Sequence, residues 1–353
     1  MFSLAAKKPV LLGIDISNTS VKVVELASVE TGFDVRGYAV TAIPSVDAGS
    51  EIKNDSRIEA IGSAVRKAVK QSGTRLTRAA AAVSGSSVIS RTLQVSSTLN
   101  EDEIEAQIEL EAEQYIPYPV DEVSFDFSIQ GPSSQPGMID VLVVASRKAF
   151  VEDRAAALEW AGLKAEIIDV DSFAMEAAYT RTRAKAHDTS ADCYAIIDIG
   201  SMATTLNVIN RRQVVFTREQ GIGGRQLTEE IQRRFGLSFE DAERAKKYGG
   251  MPSQYEDEVL RPFVTLLGQQ ISRSLHFFRS SQPQSALNHL VLAGGCAGLP
   301  GLEAVLQETE GAEITVVNPF VNMSIAARLS RQNLAKDAPS LLTATGLALR
   351  SFE

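Results

Sequence analysis

One short pattern occurs twice in this chain, and the repetition constrains the fold more than any other feature. Leu12-Gly13-Ile14-Asp15-Ile16-Ser17-Asn18-Thr19-Ser20-Val21-Lys22-Val23-Val24 returns as Ile196-Ile197-Asp198-Ile199-Gly200-Ser201-Met202-Ala203-Thr204-Thr205-Leu206-Asn207-Val208. In each copy an apolar, β-branched run brings one aspartate to its C-terminal end, a turn of small residues follows, and an alternating strand leads away. A single copy would read as an ordinary hairpin whose Asp caps a turn. Two matched copies read as a duplicated unit.

A turn of Ser, Thr, Asn and Gly lets backbone N–H groups and hydroxyls approach an anion closely. Ser17, Asn18, Thr19 and Ser20 in the first copy, and Gly200, Ser201, Thr204 and Thr205 in the second, are therefore candidate phosphate-binding positions. A carboxylate beside such a turn repels phosphate unless a cation lies between them, so Asp15 and Asp198 together point to Mg²⁺ held between two halves. Lys22 adds a point charge for a phosphoryl oxygen.

At 353 residues the chain suits a duplicated or two-domain fold rather than one small core. Its net charge is −9 with a pI near 5.1, and its basic residues are dispersed, which argues against a nucleic-acid partner. Cys193 and Cys296 make neither a metal-ligand spacing nor a disulfide framework, as expected in a reducing compartment, and the three histidines are too scattered for a metal site. Residues 1–9 carry no apolar core of a signal peptide, and no stretch approaches the eighteen apolar residues of a membrane span. Asn18-Thr19-Ser20 and Asn322-Met323-Ser324 then match the glycosylation triplet by chance.

Beyond the first hairpin the pattern predicts a strand over 32–40, a helix over 57–71 and a strand over 79–83. Strands over 91–95, 123–129 and 140–146, an Asn-capped helix over 100–115 and a helix over 147–161 follow, before a strand over 163–170. Residues 91–165 read as an α+β subdomain inserted into the first half. The 100–115 helix carries Glu101, Asp102, Glu103, Glu105, Glu109, Glu111 and Glu113. It reads either as a solvated face, with acids favourably near the helix N-terminus, or as a docking surface for a basic partner; without a Gly turn it is no Ca²⁺ loop. Tyr115-Ile116-Pro117-Tyr118-Pro119 reads as a rigid turn that packs in a core.

In the second half a strand over 213–219 leads through Gly221-Ile222-Gly223-Gly224 into a helix stopped by Gly236, and Ser238 caps the next helix over 239–248. A long helix over 262–278 is expected to bury Phe263, Leu266, Leu267, Ile271, Leu275 and Phe278. A strand over 286–293 runs into Gly294-Gly295-Cys296-Ala297-Gly298-Leu299-Pro300-Gly301 and the helix after it. Such a turn either lays backbone against a planar ligand or phosphate, or is simply tight.

These elements, in this order, resemble the actin-like ATPase superfamily, which includes actin, sugar kinases and the bacterial FtsA and MreB proteins. Residues 15–22 resemble its first phosphate motif, 198–205 its second and 292–301 its adenosine motif; 169–179 and 341–349, with Gly346, lie where its two connecting helices belong. Ala242-Glu243-Arg244-Ala245-Lys246 is similar to the MreB segment whose Glu and Lys flank the nucleoside. The resemblance implies an α/β, duplicated actin-like (ribonuclease H-like) fold with an FtsA-type α+β subdomain in the first half. It implies a first half of 1–90 plus 166–190, an insert of 91–165, a second half of 191–224 plus 286–353, and a helical subdomain of 225–285. It also implies bound ATP and Mg²⁺, and adds Gly223, Gly224, Glu243, Lys246, Lys247, Gly294, Gly295 and Cys296 to the site. Asp171 stands where MreB-like proteins place a Glu that orients the attacking water, so Asp15, Asp171 and Asp198 are the catalytic candidates. Asp169 and Glu176 compete with Asp171, and a helix-capping role for Asp171 is equally open.

Within the superfamily, Gln114-Tyr115-Ile116-Pro117-Tyr118-Pro119, Gly223-Gly224-Arg225-Gln226-Leu227-Thr228-Glu229-Glu230-Ile231 and Gly346-Leu347-Ala348-Leu349-Arg350 resemble the PilM family of type IV pilus assembly. That resemblance implies a cytoplasmic protein held at the inner membrane by the N-terminal cytoplasmic peptide of PilN, docked in a groove of the first half, with other inner-membrane pilus proteins reached through PilN. Because Ser351-Phe352-Glu353 follows the last expected helix without the amphipathic tail of FtsA, no direct membrane insertion is expected. Bound nucleotide either sets the angle between the halves, with slow if any hydrolysis, or fills a static scaffold; an FtsA-like division protein is the other reading.

Overall fold

The structure, a computed structural model, describes residues 9–44, 54–114, 116–183, 193–282 and 286–353. The reading of residues 1–8, the turn residue Tyr115 and the segment ends between 184 and 190 lie outside the described residues.

The first half runs β1 (Leu12–Ile16), β2 (Ser20–Val29), β3 (Gly32–Ala42), α1 (Asn54–Ser72), β4 (Arg78–Val83), β5 (Val88–Ser96), α2 (Glu101–Glu111), β6 (Val123–Pro132), β7 (Met138–Arg147), α3 (Lys148–Trp160), β8 (Lys164–Val170) and α4 (Asp171–Arg183). The second runs β9 (Cys193–Ile199), β10 (Thr204–Asn210), β11 (Gln213–Gln220), α5 (Gly224–Phe235), α6 (Phe239–Tyr248), α7 (Arg261–Ser281), β12 (His289–Ala293), α8 (Leu302–Glu310), β13 (Glu313–Val316), β14 (Ser324–Ile325), α9 (Arg331–Asp337) and α10 (Leu342–Leu349).

The repeat in sequence is a repeat in topology. One sheet has the order β14-β3-β2-β1-β4-β8 and the other β11-β10-β9-β12-β13. Without the short edge strand β14, the two orders match strand for strand. In each, the first strand is antiparallel to the second and parallel to a later one. Even the register repeats, because Asp15 lies opposite Lys22 and Asp198 opposite Thr205.

Period-2 alternation in β9 shows why its run is apolar up to Asp198. Ala195, Ile197 and Ile199 face one core with Leu227 of α5 and Phe263, Leu267 and Leu275 of α7. Tyr194 and Ile196 face another with Met175 of α4, Ala344 and Ala348 of α10, and Val24 and Leu26 of β2. A strand buried on both faces has no polar side to show. The second of these cores joins the halves, and α4 and α10 cross inside it. A Cβ on Gly346 would fall 1.8 Å from the Ala174 carbonyl oxygen, so the crossing distance itself demands glycine.

The insert is the three-stranded sheet β5-β7-β6 covered by α2, whose Ile104 and Ile108 pack on Val95, Val141 and Val143. Asn100 caps α2 in a reciprocal box with Glu103, and Glu101, Asp102, Glu103, Glu105 and Glu109 are exposed, as a solvated face requires. Three expectations change. Helix α3, expected inside the insert, packs through Ala157 and Leu158 into the core of the first half with Val65 and Ala68 of α1. Leu266, expected in the core, is exposed, because the stripe of α7 is narrower than its run of apolar residues. The strand expected over 286–293 starts only at His289. Among the described residues no helix is long and apolar enough to cross a membrane.

Candidate functional site

The two aspartates stand at matching carboxyl ends of β1 and β9, where each strand gives way to its small-residue turn. In both turns the same backbone bond closes the loop: Ser17 N–H donates to the Ser20 carbonyl at 3.0 Å, and Gly200 N–H to the Ala203 carbonyl at 2.9 Å. The Ser17 hydroxyl also donates to the Ser20 carbonyl and accepts from its N–H. Asn18 is exposed, and Thr19 offers its carbonyl to Ile43 N–H.

Lys22 reaches back across the β1–β2 ladder and binds Asp15 at 2.7 Å, with side chains only 12% and 18% exposed. Burial pulls the Lys22 pKa down, but the charge and hydrogen bond of Asp15, together with the charge of Asp198, more than offset it and leave it raised. Asp198 is pushed up to about 6 by burial, with Lys22 opposing and Asp15 adding to the rise. Asp171, the first residue of α4, is pushed up to about 7 by burial and by the charges of Asp198 and Asp15, against the Gly85 N–H that donates to it at 2.8 Å. Three carboxylates thus share one neighbourhood with one lysine.

Among the competing carboxylates only Asp171 belongs to that group. Asp169 binds Arg350 at 2.7 Å, and Glu176 accepts from the Thr180 hydroxyl and lies near Arg212.

From Asp198 the site continues along the second half without a gap. Gly294, at φ +91°, has no room for a side chain: a Cβ would fall 2.4 Å from Asp198 Oδ1 and 2.5 Å from the Ile199 carbonyl oxygen. Its N–H is held by the Pro339 carbonyl, and the Cys296 N–H by Ile199. Gly224 N–H and Arg225 N–H donate to the Gly200 and Ser201 carbonyls at 3.0 and 2.8 Å, so the Gly223–Gly224 turn lies directly on the small-residue turn of the second half. The buried Thr204 hydroxyl donates to the Ile222 carbonyl and braces that turn from beneath. A Cβ on Gly224 would lie 2.3 Å from Cys296 Sγ and 3.5 Å from Lys246 Nζ, which ties the Gly294–Cys296 turn to α6.

On α6, Lys246 and Glu243 face the same way, one turn apart. Lys246 Nζ donates to Glu243, to the Gly224 carbonyl at 2.9 Å and to the Thr228 hydroxyl at 2.6 Å. Burial pushes the Cys296 thiol up, with Lys246 opposing, so it stays a thiol against the turn. Lys247 points elsewhere: it lies 4.0 Å from Asp337 of α9, while Lys336 holds its carbonyl and packs over Tyr248. Gly295 is exposed at the same turn, and Thr205 is half-buried beside Asp198.

The sequence reading missed Gly85, Thr228 and Pro339, each of which positions a predicted residue. Ser84-Gly85-Ser86-Ser87, a run of small residues ending an alanine-rich strand, was a legible signal for the first; Ser86 also donates to Glu219 across the halves at 3.0 Å. Thr228 and Pro339 carry none, because they act through contacts distant in sequence. Asp15 and Asp198 supply hard oxygen donors of the type Mg²⁺ takes, and the excess of carboxylate over cation around them fits a divalent ion. Among the described residues no group of three His, Cys, Asp or Glu forms a complete metal site, so phosphate oxygens and water would complete the shell.

Known proteins share this architecture. The chain is 29% identical to a protein in the solved "PilM-PilN type IV pilus biogenesis complex", with a TM-score of 0.79 over 98% of this chain and 99% of that one. An archaeal actin homologue, Ta0583, shares the fold alone, with 12% identity and a TM-score of 0.52 over 97% of this chain and 99% of that chain. The cell division protein FtsA of Bacillus subtilis (strain 168) is 22% identical over 87% of this chain and 78% of its own length, and that of Enterococcus hirae 23% identical over 89% and 79%. The fold is that of the actin-like ATPases. The family described as type IV pilus assembly protein PilM matches residues 13–352, from the strand that carries Asp15 to the turn that ends the last helix, and this chain belongs to it.

Proposed function

We propose that this protein is the actin-like component of a type IV pilus assembly complex, that it binds ATP with Mg²⁺ between its halves, and that it docks the N-terminal cytoplasmic peptide of a PilN-type inner-membrane protein. The observation that carries the nucleotide reading is the unbroken path from Asp171, Asp15 and Lys22 through Asp198 and Gly294 to Cys296, Gly224, Lys246 and Glu243. Its phosphate end has small-residue turns and carboxylates, and its other end has a glycine turn beside a Lys–Glu pair suited to a nucleoside. The membership in the PilM family and the likeness to the PilM–PilN complex support the partner.

In this reading Asp15 and Asp198 hold the ion from opposite halves, and the ion neutralises phosphate charge when bound. Lys22 holds a phosphoryl oxygen, the two turns supply N–H and hydroxyl donors, and Lys246 with Glu243 fix the nucleoside. Asp171, held by Gly85, orients a water for slow hydrolysis. The two ends of the site belong to different halves, so nucleotide occupancy biases their angle and, through the insert, the partner groove. A pull-down tests this: full-length protein loaded with ATP, with ADP, or empty is offered a PilN-type N-terminal peptide on anionic liposomes. Peptide-dependent recruitment that varies with nucleotide supports the reading. Equal recruitment in all three states leaves a static scaffold, and binding to bare liposomes overturns attachment through a partner alone.

A further inference from the structure

One charged side chain near the phosphate end has no place in that account. Arg154 projects from α3 and its Nε donates to the Ala82 carbonyl at 3.0 Å. Ala82 is the last residue but one of the central parallel strand of the first sheet. The β4–β8 register sets it opposite Asp169, two residues before Asp171, and the β1–β4 register sets its neighbour Ala81 opposite Ile14, the residue before Asp15. The guanidinium is therefore anchored on the strand that lies between the two elements delivering Asp15 and Asp171. That one bond satisfies Nε only, and among the described residues no carboxylate lies within ion-pair distance of the group.

A half-buried guanidinium with a single neutral acceptor is incomplete. Arginine presents five donors in a planar fork, and burial without an anion is costly. Burial holds this group below the usual arginine range, Asp15, Asp153 and Asp171 pull the other way, and Arg57 at the start of α1 adds a like charge. The Arg154 Nη groups have no acceptor within hydrogen-bond distance among the described residues while the group lies next to a cleft read as a phosphate site.

We propose that Arg154 reads the terminal phosphate of the bound nucleotide, its free Nη groups donating to the γ-phosphoryl oxygens while Nε stays on Ala82. The inference rests on the nucleotide reading above. It gives the first half a group that tells ATP from ADP, where the Lys246–Glu243 end cannot. Because α3 packs on α1 and immediately follows β7 of the insert, loss of the γ-phosphate is felt at the junction of insert and first half.

Calorimetry on the full chain with Mg·ATP and Mg·ADP tests it, using the unaltered protein, Arg154→Ala and Arg154→Lys, with Asp198→Ala as reference. The expected result is about a tenfold or greater loss of ATP affinity in Arg154→Ala, with ADP affinity within about twofold of the unaltered protein. Arg154→Lys keeps the charge without the fork and should lose about threefold or more, for ATP only; it decides the matter should the alanine variant not fold. Equal losses for ATP and ADP, or none, overturn the assignment while the cleft reading stands. Failure of the unaltered protein to bind either nucleotide overturns both. Loss of peptide capture with both nucleotide affinities intact assigns the anion to the partner and overturns the phosphate role.

Discussion

Lys22 and Asp15 face each other across the β1–β2 ladder and are joined at 2.7 Å, whereas at the matching register of the second half Asp198 faces Thr205. The duplicated carboxylates therefore share a single lysine, and the site has a direction. Asp198 is pushed up to about 6 by its burial, with Asp15 adding to the rise and the shared Lys22 opposing it.

The two aspartates should fail differently when truncated. Asp198→Ala and Asp15→Ala are each expected to weaken Mg²⁺-dependent ATP binding about tenfold or more by calorimetry. Asp15→Ala also strands the buried Lys22 ammonium, costing about 1–3 kcal/mol in thermal or urea unfolding, whereas Asp198→Ala strands nothing. Two variants that bind Mg·ATP normally would reduce the repeat to architecture.

Asp171 gives the nucleotide-free protein a pH dependence. Its folded pKa is raised from 3.8 to about 7, so the neutral form is favoured by folding; its contribution is fully present below pH 3.8 and is lost as pH rises through about 7. Asp171→Asn keeps an acceptor for Gly85 and removes that loss. It should raise stability at pH 8 by on the order of 1 kcal/mol, about 2–4 °C in Tm, and by much less at pH 5. An equal gain at both pH values would mean that the carboxyl is not buried as described.

Lys246→Ala removes the donor to Glu243, Thr228 and the Gly224 carbonyl without touching the phosphate end. Affinities for ATP and ADP should fall together, by about tenfold. A loss confined to ATP would move Lys246 to the phosphates and contradict the assignment.

The crossing of α4 and α10 tolerates no side chain. Gly346→Ala must displace the Ala174 backbone, 1.8 Å from where its Cβ would sit, and is expected to cost about 3 kcal/mol, the upper end of overpacking penalties. An unchanged denaturation midpoint would show that the helices can part at no cost.

Much of this molecule could be read without coordinates because its information is local. The aspartate at the end of each apolar run, the small turn after it and the alternating strand beyond are consecutive in the chain, and a strand buried on both faces declares itself by having no polar side. The Asn100–Glu103 box and the Gly236 stop are likewise local, worked by side chains or φ angles within one turn.

What the sequence determined by itself is therefore the duplicated α/β unit, the order of strands and helices along it, and the residue types that gather at the candidate site. What only the tertiary structure decided is which of those residues meet. Asp171 rather than Asp169 or Glu176 joins Asp15 and Asp198, because Arg350 claims the one and Thr180 and Arg212 the other. Lys247 turns to Asp337 while its neighbour Lys246 turns to Gly224, and Leu266 is left in solvent while Leu267 is buried. Arg154, silent in the sequence, lies on the strand end beside the aspartates. Each of these depends on partners far away in the chain, and periodicity carries no information about a contact until the sheets and helices are packed.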